Sequence, residues 1–300
     1  MGQLEDMSVF VRIVDAGGIG KAADQLGIAK SGVSRRLVAL EARLGVSLIN
    51  RTTRSSSLTS VGREYYERAV KLIDDVLELD GLAADEGKSL EGLMRLAVPL
   101  SFGLTHLSPA IDIFSSKNPG LAINIDFSDH QVDLVEQGID LAIRISDLKD
   151  SSLQARRICP IRLQLCASPS YLEKHGTPRK PEDLKDHQVL SYNLVPGSTI
   201  RLRNRQGEEQ LVHTSARMSA NNGDFLHDMA LAGHGIVLLP TFIVWKSLAA
   251  QDLIHVLKPY TPPALNAWAV YPQTRYLSQR TRRFIDFLAE RFGDDPYWDQ

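Results

Sequence analysis

The chain has 300 residues, of which 43% are hydrophobic and 23% are charged, and its formal net charge is -2. This composition is typical of a soluble globular protein with two or three folded units, and the net charge argues against a uniformly basic nucleic-acid-binding coat. Only two cysteines occur, Cys159 and Cys166, so a disulfide framework or a cysteine zinc site is not expected.

The N-terminal residues give no sign of export. Met-Gly-Gln-Leu-Glu-Asp lacks the basic flank and apolar run of a signal peptide. The longest apolar run, residues 235–245, is too short to span a bilayer. We therefore expect a cytoplasmic protein with no membrane partner.

The first 45 residues predict three helices, of which the last two form a helix-turn-helix. Hydrophobic residues recur at helical spacing from Leu4 to Val14, at Leu4, Met7, Val11 and Val14. Alternation of Val9, Val11 and Ile13 would also fit a strand, but we favour a helix. After Gly17-Gly18, a short helix spans 20–26 and ends at Gly27. The next helix has Gly45 as its C-cap, and its inward residues are Val33, Leu37, Leu40 and Leu44.

The outer face of the last of these helices and the loop after it suit DNA. Arginine forks onto guanine and serine adapts to several bases, whereas Arg-rich wings reach phosphates and the minor groove. Residues 1–63 carry nine Lys or Arg against five Asp or Glu, while residues 64–90 carry three against eight. A merely solvated helix face is the alternative. The candidate DNA-binding residues are Lys30, Ser31, Ser34, Arg35, Arg36, Arg51, Thr52, Thr53 and Arg54.

A long helix capped by Thr59 is predicted next. Its hydrophobic residues follow heptad spacing, which is typical of a seam between two helices. Packing of this seam onto the helix's own domain is the alternative, but pairing with a second copy is favoured because nothing adjacent is large enough to cover it. The candidate dimerisation residues are Tyr65, Ala69, Leu72, Val76 and Leu79, and the spacing extends to Ala83.

From Gly92 onward, strands alternate with helices, which predicts α/β structure with a parallel sheet. Residues 93–98, 121–127, 141–145, 161–167, 189–192, 236–239 and 268–271 are the predicted strands; helices are predicted around Ile111 and over 132–136, 168–175, 224–232 and 278–292. Two such lobes joined by two crossing strands would form a cleft. We expect a DNA-binding domain at 1–59, a linker helix and hinge at 60–90, and an effector-binding domain at 91–300, with lobe I at about 91–162 and 269–300 and lobe II at about 163–268.

Several long motifs resemble the LysR-type transcriptional regulator family. They are Ala22-Ala23-x-x-Leu26-x-Ile28, Val33-Ser34-Arg35-Arg36, Leu40-Glu41-x-x-Leu44-Gly45, Leu48-Ile49-Asn50-Arg51-Thr52-Thr53-Arg54 and Leu58-Thr59-x-x-Gly62. Further along, 131–144 and 230–240 are similar to that family's effector-binding domain. The resemblance implies an all-α winged helix-turn-helix, a linker coiled coil and a two-lobed sensor like the periplasmic binding proteins. It also implies a homodimer or homotetramer on an interrupted inverted repeat in duplex DNA, an effector bound between the lobes, and RNA polymerase as a possible partner.

The sequence departs from the family pattern at two places. Gly18-Ile19-Gly20 replaces the usual Ser-aromatic pair, and Ala29 stands where a capping serine is usual. Loss of such a cap costs about 1 kcal/mol. Ser31 is a candidate replacement, which would start the helix later and change the residues that face the bases.

Small polar residues follow the predicted strands of both lobes, where open α/β sheets bind ligands. Ser101, Asn222 and Thr241 would alternatively cap helices, and Arg144 would alternatively pair with Asp140 or Asp147. Residues 99–103 open a helix, so their backbone N–H groups and the Ser101 hydroxyl could hold an anion. This site and Arg144 suggest a carboxylate, and Leu100, Phe102 and Phe225 suggest an aromatic or short-chain body. The candidate effector-binding residues are Leu100, Ser101, Phe102, Ser128, Asp129, His130, Arg144, Ser146, Asn221, Asn222, Gly223 and Thr241.

Other chemistries have weaker support. Gly18-Ile19-Gly20-Lys21-Ala22-Ala23 matches a dinucleotide-binding pattern, but Glu41 lies in a predicted helix rather than at the end of a second strand. An enzyme on this scaffold would need catalytic acids in the cleft, where Asp129 with His130 is the only adjacent candidate pair, and no metal-ligand spacing occurs among the eight histidines. We expect no enzyme activity, cofactor or metal. A solute-binding module is the alternative function, but the second half of the chain alone would suffice for it.

Overall fold

The structure is a computed structural model that describes residues 2–51, 56–82, 90–128, 133–147, 153–192, 199–272 and 277–300. The chain folds as two compact units, an N-terminal unit of residues 1–88 and a C-terminal unit of residues 89–300. The predicted hinge falls largely on 83–89, which lie outside the described residues.

Helices occur in both units. The α-helices are α1 (Gln3–Asp15), α2 (Ile19–Leu26), α3 (Lys30–Leu44), α4 (Ser60–Leu82), α5 (Leu100–Phe102), α6 (Ser108–Lys117), α7 (Pro169–His175), α8 (Gly223–Leu231), α9 (Thr241–Ala249) and α10 (Gln279–Phe292). A π-helical turn, Gly103–Leu107, joins α5 to α6, and 3-10 helices span Pro181–Asp186 and Tyr297–Asp299.

Strands form four sheets among the described residues. They are β1 (Ile49–Arg51), β2 (Ser56–Leu58), β3 (Gly92–Val98), β4 (Leu121–Phe127), β5 (Leu141–Ser146), β6 (Leu153–Ile161), β7 (Leu163–Ala167), β8 (Val189–Tyr192), β9 (Thr199–Arg203), β10 (Glu209–His213), β11 (Ala216–Ala220), β12 (Ile236–Pro240), β13 (Ile254–His255) and β14 (Leu265–Pro272).

The N-terminal unit packs α1 to α4 around one hydrophobic core. Of the four predicted inward residues of α3, Val33, Leu37 and Leu40 are fully buried, and Leu44 is half-buried against the same core. The α1 helix is confirmed, but its predicted face is rotated. Its buried residues are Val9, Phe10 and Ile13, because α1 packs against both α3 and α4, whereas the predicted residues Leu4, Met7, Val11 and Val14 are half-buried at the flanks.

A close approach of two backbones joins α4 to the rest of the N-terminal unit. The Thr59 hydroxyl oxygen caps α4 by accepting the Gly62 N–H at 2.9 Å, as the sequence predicts. The Thr59 N–H in turn donates to the Leu48 carbonyl at 3.0 Å. A Cβ on Gly62 would lie 2.0 Å from that same carbonyl oxygen, so only glycine fits. The start of α4 is therefore fixed against the strand segment that begins the wing.

Lobe I of the C-terminal unit is built on a five-stranded sheet with the order β4-β3-β5-β14-β6. Strand β3 is parallel to β4 and β5, with Leu96 opposite both Ile125 and Leu141. Strand β14 returns from lobe II and runs antiparallel to β5 and β6. The predicted parallel arrangement is found for β3, β4 and β5, but the sheet is mixed because β14, which comes back from the second lobe, runs antiparallel to its neighbours.

Lobe II has a second five-stranded sheet with the order β11-β8-β12-β7-β13. Strand β8 is parallel to β11 and β12, while β7 is antiparallel to β12 and β13. A separate hairpin of β9 and β10, which the sequence did not predict, packs Ile200, Leu202 and Val212 onto the lobe II core.

Two predicted elements are wrong in detail. The predicted helix over 132–136 is a single turn in its described part, because the Asp133 carboxylate accepts the N–H groups of Val135 and Glu136. The predicted strand over 161–167 is broken at Arg162, where the chain passes from β6 to β7. Helix α10 returns to lobe I as expected, and its Phe284, Ile285 and Leu288 are fully buried in that core.

The Gly62 approach predicts a large effect of a single methyl group. We expect Gly62→Ala to destabilise the N-terminal unit by about 3 kcal/mol, because a rigid backbone carbonyl occupies the space of the new Cβ. Gly20→Ala is the matched control: its Cβ meets nothing within 4 Å, and the change should stabilise α2 by about 0.5 to 1 kcal/mol. Thermal unfolding followed by far-UV circular dichroism measures both. Equal stability of the two variants would contradict the packing described.

Candidate functional site

The outer face of α3 carries the side chains expected to meet DNA. Lys30, Ser31 and Arg35 are exposed, and Ser34 is half-buried beside them. The opposite face is fixed in the core by Val33, Leu37 and Leu40. Burial of one side of the helix therefore leaves these polar side chains on the solvent side.

Helix α3 begins at Lys30 and not later. Its N-cap is Ala29, which provides no side-chain hydrogen bond, and the Gly32 N–H donates to the Ala29 carbonyl at 2.8 Å. The expectation that Ser31 caps a later start is wrong. Ser31 lies inside the first turn, where its carbonyl accepts the Nε of Arg35 at 3.3 Å.

Arg36 is held within the N-terminal unit. Its guanidinium donates to Glu5 at 2.8 Å and to Asp6 at 3.4 Å, which ties α3 to the first turn of α1. These contacts raise the pKa of Arg36, and the hydrogen bond lowers the pKa of Glu5. Arg36 thus differs from Arg35 although both were candidates for DNA contact.

The predicted wing is an antiparallel pair of β1 and β2, with Ile49 opposite Leu58. The Glu41 carboxylate of α3 accepts the Leu48 N–H at 2.8 Å and the Ile49 N–H at 3.2 Å, so it fixes the chain where the wing begins. The candidates Thr52, Thr53 and Arg54 lie outside the described residues, and Arg51 is described only in its backbone.

The predicted dimerisation residues of α4 divide into two groups. Tyr65 packs edge-on against Phe10 at a ring distance of 5.7 Å, and Ala69 is buried, so this end of the seam lies against α1. Leu72 is 49% exposed and Val76 is partly exposed. Leu79 is described only in its backbone. The exposed part of the predicted seam therefore begins at Leu72.

A cavity of about 550 Å³ lies between the two lobes of the C-terminal unit. The carboxyl ends of parallel strands β3, β4, β5 and β8 open toward it, which is where open α/β sheets bind ligands. Of the predicted effector-binding residues, the cavity is lined by Ser101, Phe102, Ser128, Arg144, Ser146 and Gly223.

The other predicted effector-binding residues are placed differently. Leu100 is exposed, and Asn221, Asn222 and Thr241 are not among the described residues that line the cavity. Asn222 caps α8 by accepting the Phe225 N–H at 2.9 Å, and Thr241 donates from its hydroxyl and its N–H to the Arg162 carbonyl. Asp129 and His130 lie outside the described residues.

Lobe II contributes polar lining that sequence reasoning missed, namely Ser191, Tyr192, Thr199 and Thr214. Ser191 and Tyr192 end strand β8, so the rule that found Ser101 and Ser128 could have found them. Thr199 begins the unpredicted hairpin and Thr214 follows it, and no sequence signal marks either residue.

Arg144 gives the cavity a positive charge. It is the one ionisable side chain other than Tyr192 among the described lining residues. Burial lowers the pKa of its guanidinium, but arginine stays protonated in proteins. Hydroxyl groups and hydrocarbon side chains make up most of the remaining lining. The chemistry fits an anionic group on a largely apolar molecule.

A side-chain hydrogen bond beside the cavity joins the two lobes. The Ser101 hydroxyl of lobe I donates to the Asp224 carboxylate of lobe II at 2.6 Å. A ligand that takes the Ser101 hydroxyl would have to replace this contact.

The C-terminal 3-10 helix is bound to the crossing point of the lobes. His106 Nε2 lies 3.1 Å from the Phe242 carbonyl and Nδ1 lies 2.6 Å from the Tyr297 hydroxyl. Because a carbonyl only accepts, Nε2 carries the proton and Nδ1 accepts from Tyr297. Asp299 accepts from Arg162 at 2.5 Å, so the same segment also holds the crossover residue.

Two domain models match this chain. The bacterial regulatory helix-turn-helix protein model of the lysR family matches residues 4–63, and the LysR substrate binding domain model matches residues 87–293. The chain belongs to the LysR family of transcriptional regulators. LysR regulators bind DNA through the helix-turn-helix head, bind small-molecule effectors and form oligomers, and the family is one of regulators rather than enzymes.

Relatives and solved structures extend over nearly the whole chain. The HTH-type transcriptional regulator CrgA of Neisseria meningitidis serogroup C is 36% identical over 97% of each chain, and DmlR of Escherichia coli K12 is 33% identical over 97% of this chain and 95% of its own. The CrgA structure, at 34% identity, has a TM-score of 0.62 and covers 97% of this chain and 99% of its own. Full-length AphB of Vibrio cholerae has a TM-score of 0.60 at 27% identity, with 96% and 99% covered. The winged head, the linker helix and the two-lobed domain of this LysR regulator match those folds.

Within the described parts of the chain, every helix is either too short or too polar to cross a lipid bilayer.

The buried histidine predicts a pH-dependent stability of the C-terminal unit. Burial lowers the pKa of His106 from 6.5 to about 4. As the pH falls, the unfolded chain therefore takes up a proton at His106 before the folded chain does. The contribution of neutral His106 to the free energy of unfolding is complete above pH 6.5 and is lost as the pH falls toward 4, by about 3 kcal/mol at most. Urea unfolding followed by tryptophan emission measures it, since Trp245, Trp268 and Trp298 all lie in this unit.

The comparison uses two histidine variants. His106→Gln should lose less stability than the unsubstituted protein between pH 6.5 and 4, whereas the exposed His234→Gln should follow the unsubstituted protein. Parallel curves for all three proteins would show that His106 does not cause the acid sensitivity.

Proposed function

We propose that this LysR regulator acts in the cytoplasm as a homodimer or homotetramer that reads an interrupted inverted repeat, under control of a carboxylate bound between its lobes. The observation that supports the ligand class is Arg144, the cation of a cavity whose described lining otherwise consists mostly of hydroxyl and hydrocarbon groups. RNA polymerase is the further partner that such a regulator would meet at a promoter.

In the proposed DNA complex, the first two turns of α3 enter the major groove. Lys30, Ser31, Ser34 and Arg35 would contact bases or phosphates there, because a recognition helix reads base edges with its N-terminal residues. Arg36 would instead position α3, since Glu5 and Asp6 hold its guanidinium. The wing residues Arg51, Thr52, Thr53 and Arg54 would reach the backbone or the minor groove.

In the proposed effector complex, the carboxylate pairs with Arg144 and the apolar body lies between the two lobe walls. Ser101, Ser128 and Ser146 would donate hydrogen bonds from lobe I, and Ser191 and Thr214 would do so from lobe II. Phe102 would contact the apolar body. Binding that favours one arrangement of the lobes then shifts the oligomer between states with different operator affinity.

Footprinting on the DNA upstream of the gene for this protein tests the DNA-reading part. We expect two protected segments spaced by about one helical turn or a multiple of it, as two heads of a dimer require. Arg35→Ala should weaken operator binding by about ten-fold or more and relax sequence preference, because arginine contributes about 1 to 3 kcal/mol of base discrimination.

Arg43→Ala, an exposed arginine in the last turn of α3, is the matched control for charge loss. It should lower binding to operator and random DNA by similar, small factors. Equal losses on both DNAs for Arg35→Ala would contradict its assignment as a base-reading residue.

Calorimetry with benzoate, phenylacetate and hexanoate, each compared with its amide, tests the effector class. We expect a carboxylate to bind about ten-fold more tightly than its amide, because a hydrogen bond to a charged group is stronger than one to a neutral group. Arg144→Gln should remove that preference, while the exposed Arg179→Gln should keep it. Binding of only neutral or cationic compounds would refute the proposed ligand class.

Light scattering tests the linker seam. Leu72→Asp should lower the mass from that of the oligomer, because a carboxylate would enter the apolar seam between helices. Glu67→Lys, at an exposed position of the same helix, should leave the mass unchanged. An unchanged mass for Leu72→Asp would show that pairing does not use this seam.

A further inference from the structure

Helix α3 exposes a hydrophobic side chain in line with its candidate DNA-binding residues. Val38 is 47% exposed, whereas Val33, Leu37 and Leu40 of the same helix are fully buried. Val38 lies four residues after Ser34 and three after Arg35, so these side chains are neighbours on one helix face. The outer stripe of α3 is therefore polar in its first two turns and apolar in its third.

The same stripe carries no negative charge. Glu41 is the one acidic residue between Lys30 and Leu44, and its carboxylate accepts the backbone N–H groups of Leu48 and Ile49. Beyond Val38 the exposed residues are Ala39, Ala42 and the basic Arg43. A polyanion can approach the whole length of this face, and Val38 is its largest apolar side chain.

Duplex DNA is the occupant that these features favour. Val38 lies on the same outer face of α3 as the polar residues, in a helix-turn-helix that matches the lysR family. Residues 1–63 carry a formal charge of +4. The major groove offers one apolar group to such a side chain, the 5-methyl of thymine. Three helical residues rise about 4.5 Å, close to the 3.4 Å between base pairs, so Val38 would meet a base one or two steps from the base at Arg35.

We propose that Val38 reads the 5-methyl group of a thymine in each half-site, one or two base pairs from the base contacted by Arg35. This inference rests on the proposed major-groove position of α3. Val38 adds a thymine requirement that hydrogen bonding from Ser34 and Arg35 does not supply.

Deoxyuridine provides a direct probe because it differs from thymidine only in lacking this methyl group. Operator duplexes are first selected from a random pool with the full-length protein, and each thymine is then replaced singly by uracil. We expect one uracil position per half-site to weaken binding about four-fold, the effect of removing one buried methyl group. Fluorescence anisotropy titrations measure the dissociation constants.

Two valine variants identify the side chain responsible. Val38→Ala should lose the uracil effect at that position and keep the others, while Val38→Thr, which retains a γ-methyl, should preserve it. Val46→Ala is the matched control, since Val46 is 43% exposed but lies beyond the end of α3. It should leave the uracil profile unchanged.

The outcomes separate this inference from the proposed function. Failure to select any duplex would reject operator reading itself. Selection of an operator that no uracil weakens, or an unchanged uracil profile in Val38→Ala, would reject the role of Val38 alone. A Val38→Ala loss that is equal on thymine and uracil duplexes would assign Val38 to sugar or backbone packing and would also overturn the proposal.

Discussion

The crossing of the chain at Arg162 is the constraint on which the C-terminal unit depends. Strand β6 ends in the lobe I sheet and β7 begins in the lobe II sheet with this single residue between them. Its carbonyl accepts two hydrogen bonds from Thr241, and its guanidinium donates to Asp299. Because Phe242 is buried in the lobe I core, the lobes are connected at this edge by packing as well as by the chain. The cavity opens beside that connection.

In the N-terminal unit, a small number of contacts likewise fixes the orientation of α3 and α4. Burial of Val33, Leu37 and Leu40 fixes which side of α3 faces outward, and the Arg36 ion pairs fix α3 on α1. Gly62 brings the linker helix against the Leu48 carbonyl. A change in the direction of α4 would therefore move the start of the wing at Leu48. It would also affect α3, because Glu41 of α3 binds the backbone N–H groups of Leu48 and Ile49. Direct packing therefore connects α4 to α3 and to the start of the wing.

Sequence reasoning succeeded where the controlling contacts are local. The helical spacing predicts which residues of α3 face inward, and the position of Thr59 before a long helical pattern predicts that it caps α4. The ends of the predicted strands place Ser101, Ser128 and Ser146 beside the cavity. Sequence reasoning failed where the structure depends on contacts between residues that are far apart in the sequence. The Arg36 contacts with Glu5 and Asp6 join positions about 30 apart, and the β9–β10 hairpin that brings Thr199 to the cavity packs on lobe II through long-range contacts. The return of the chain to lobe I is expected from the two crossing strands, but the antiparallel direction of β14 depends on its pairing with β5 and β6, which strand patterns do not reveal.

In the proposed mechanism, the cavity and the DNA-binding head are thermodynamically coupled. Calorimetry of one carboxylate that binds the cavity, in the presence and absence of operator, tests this coupling most directly. Linkage requires the operator to change carboxylate affinity by the same factor as the carboxylate changes operator affinity, about 5- to 150-fold for typical coupling energies. We expect two equal factors that differ from one. A factor of one in both directions would show that the cavity and the head act independently, so that ligand binding does not control DNA binding.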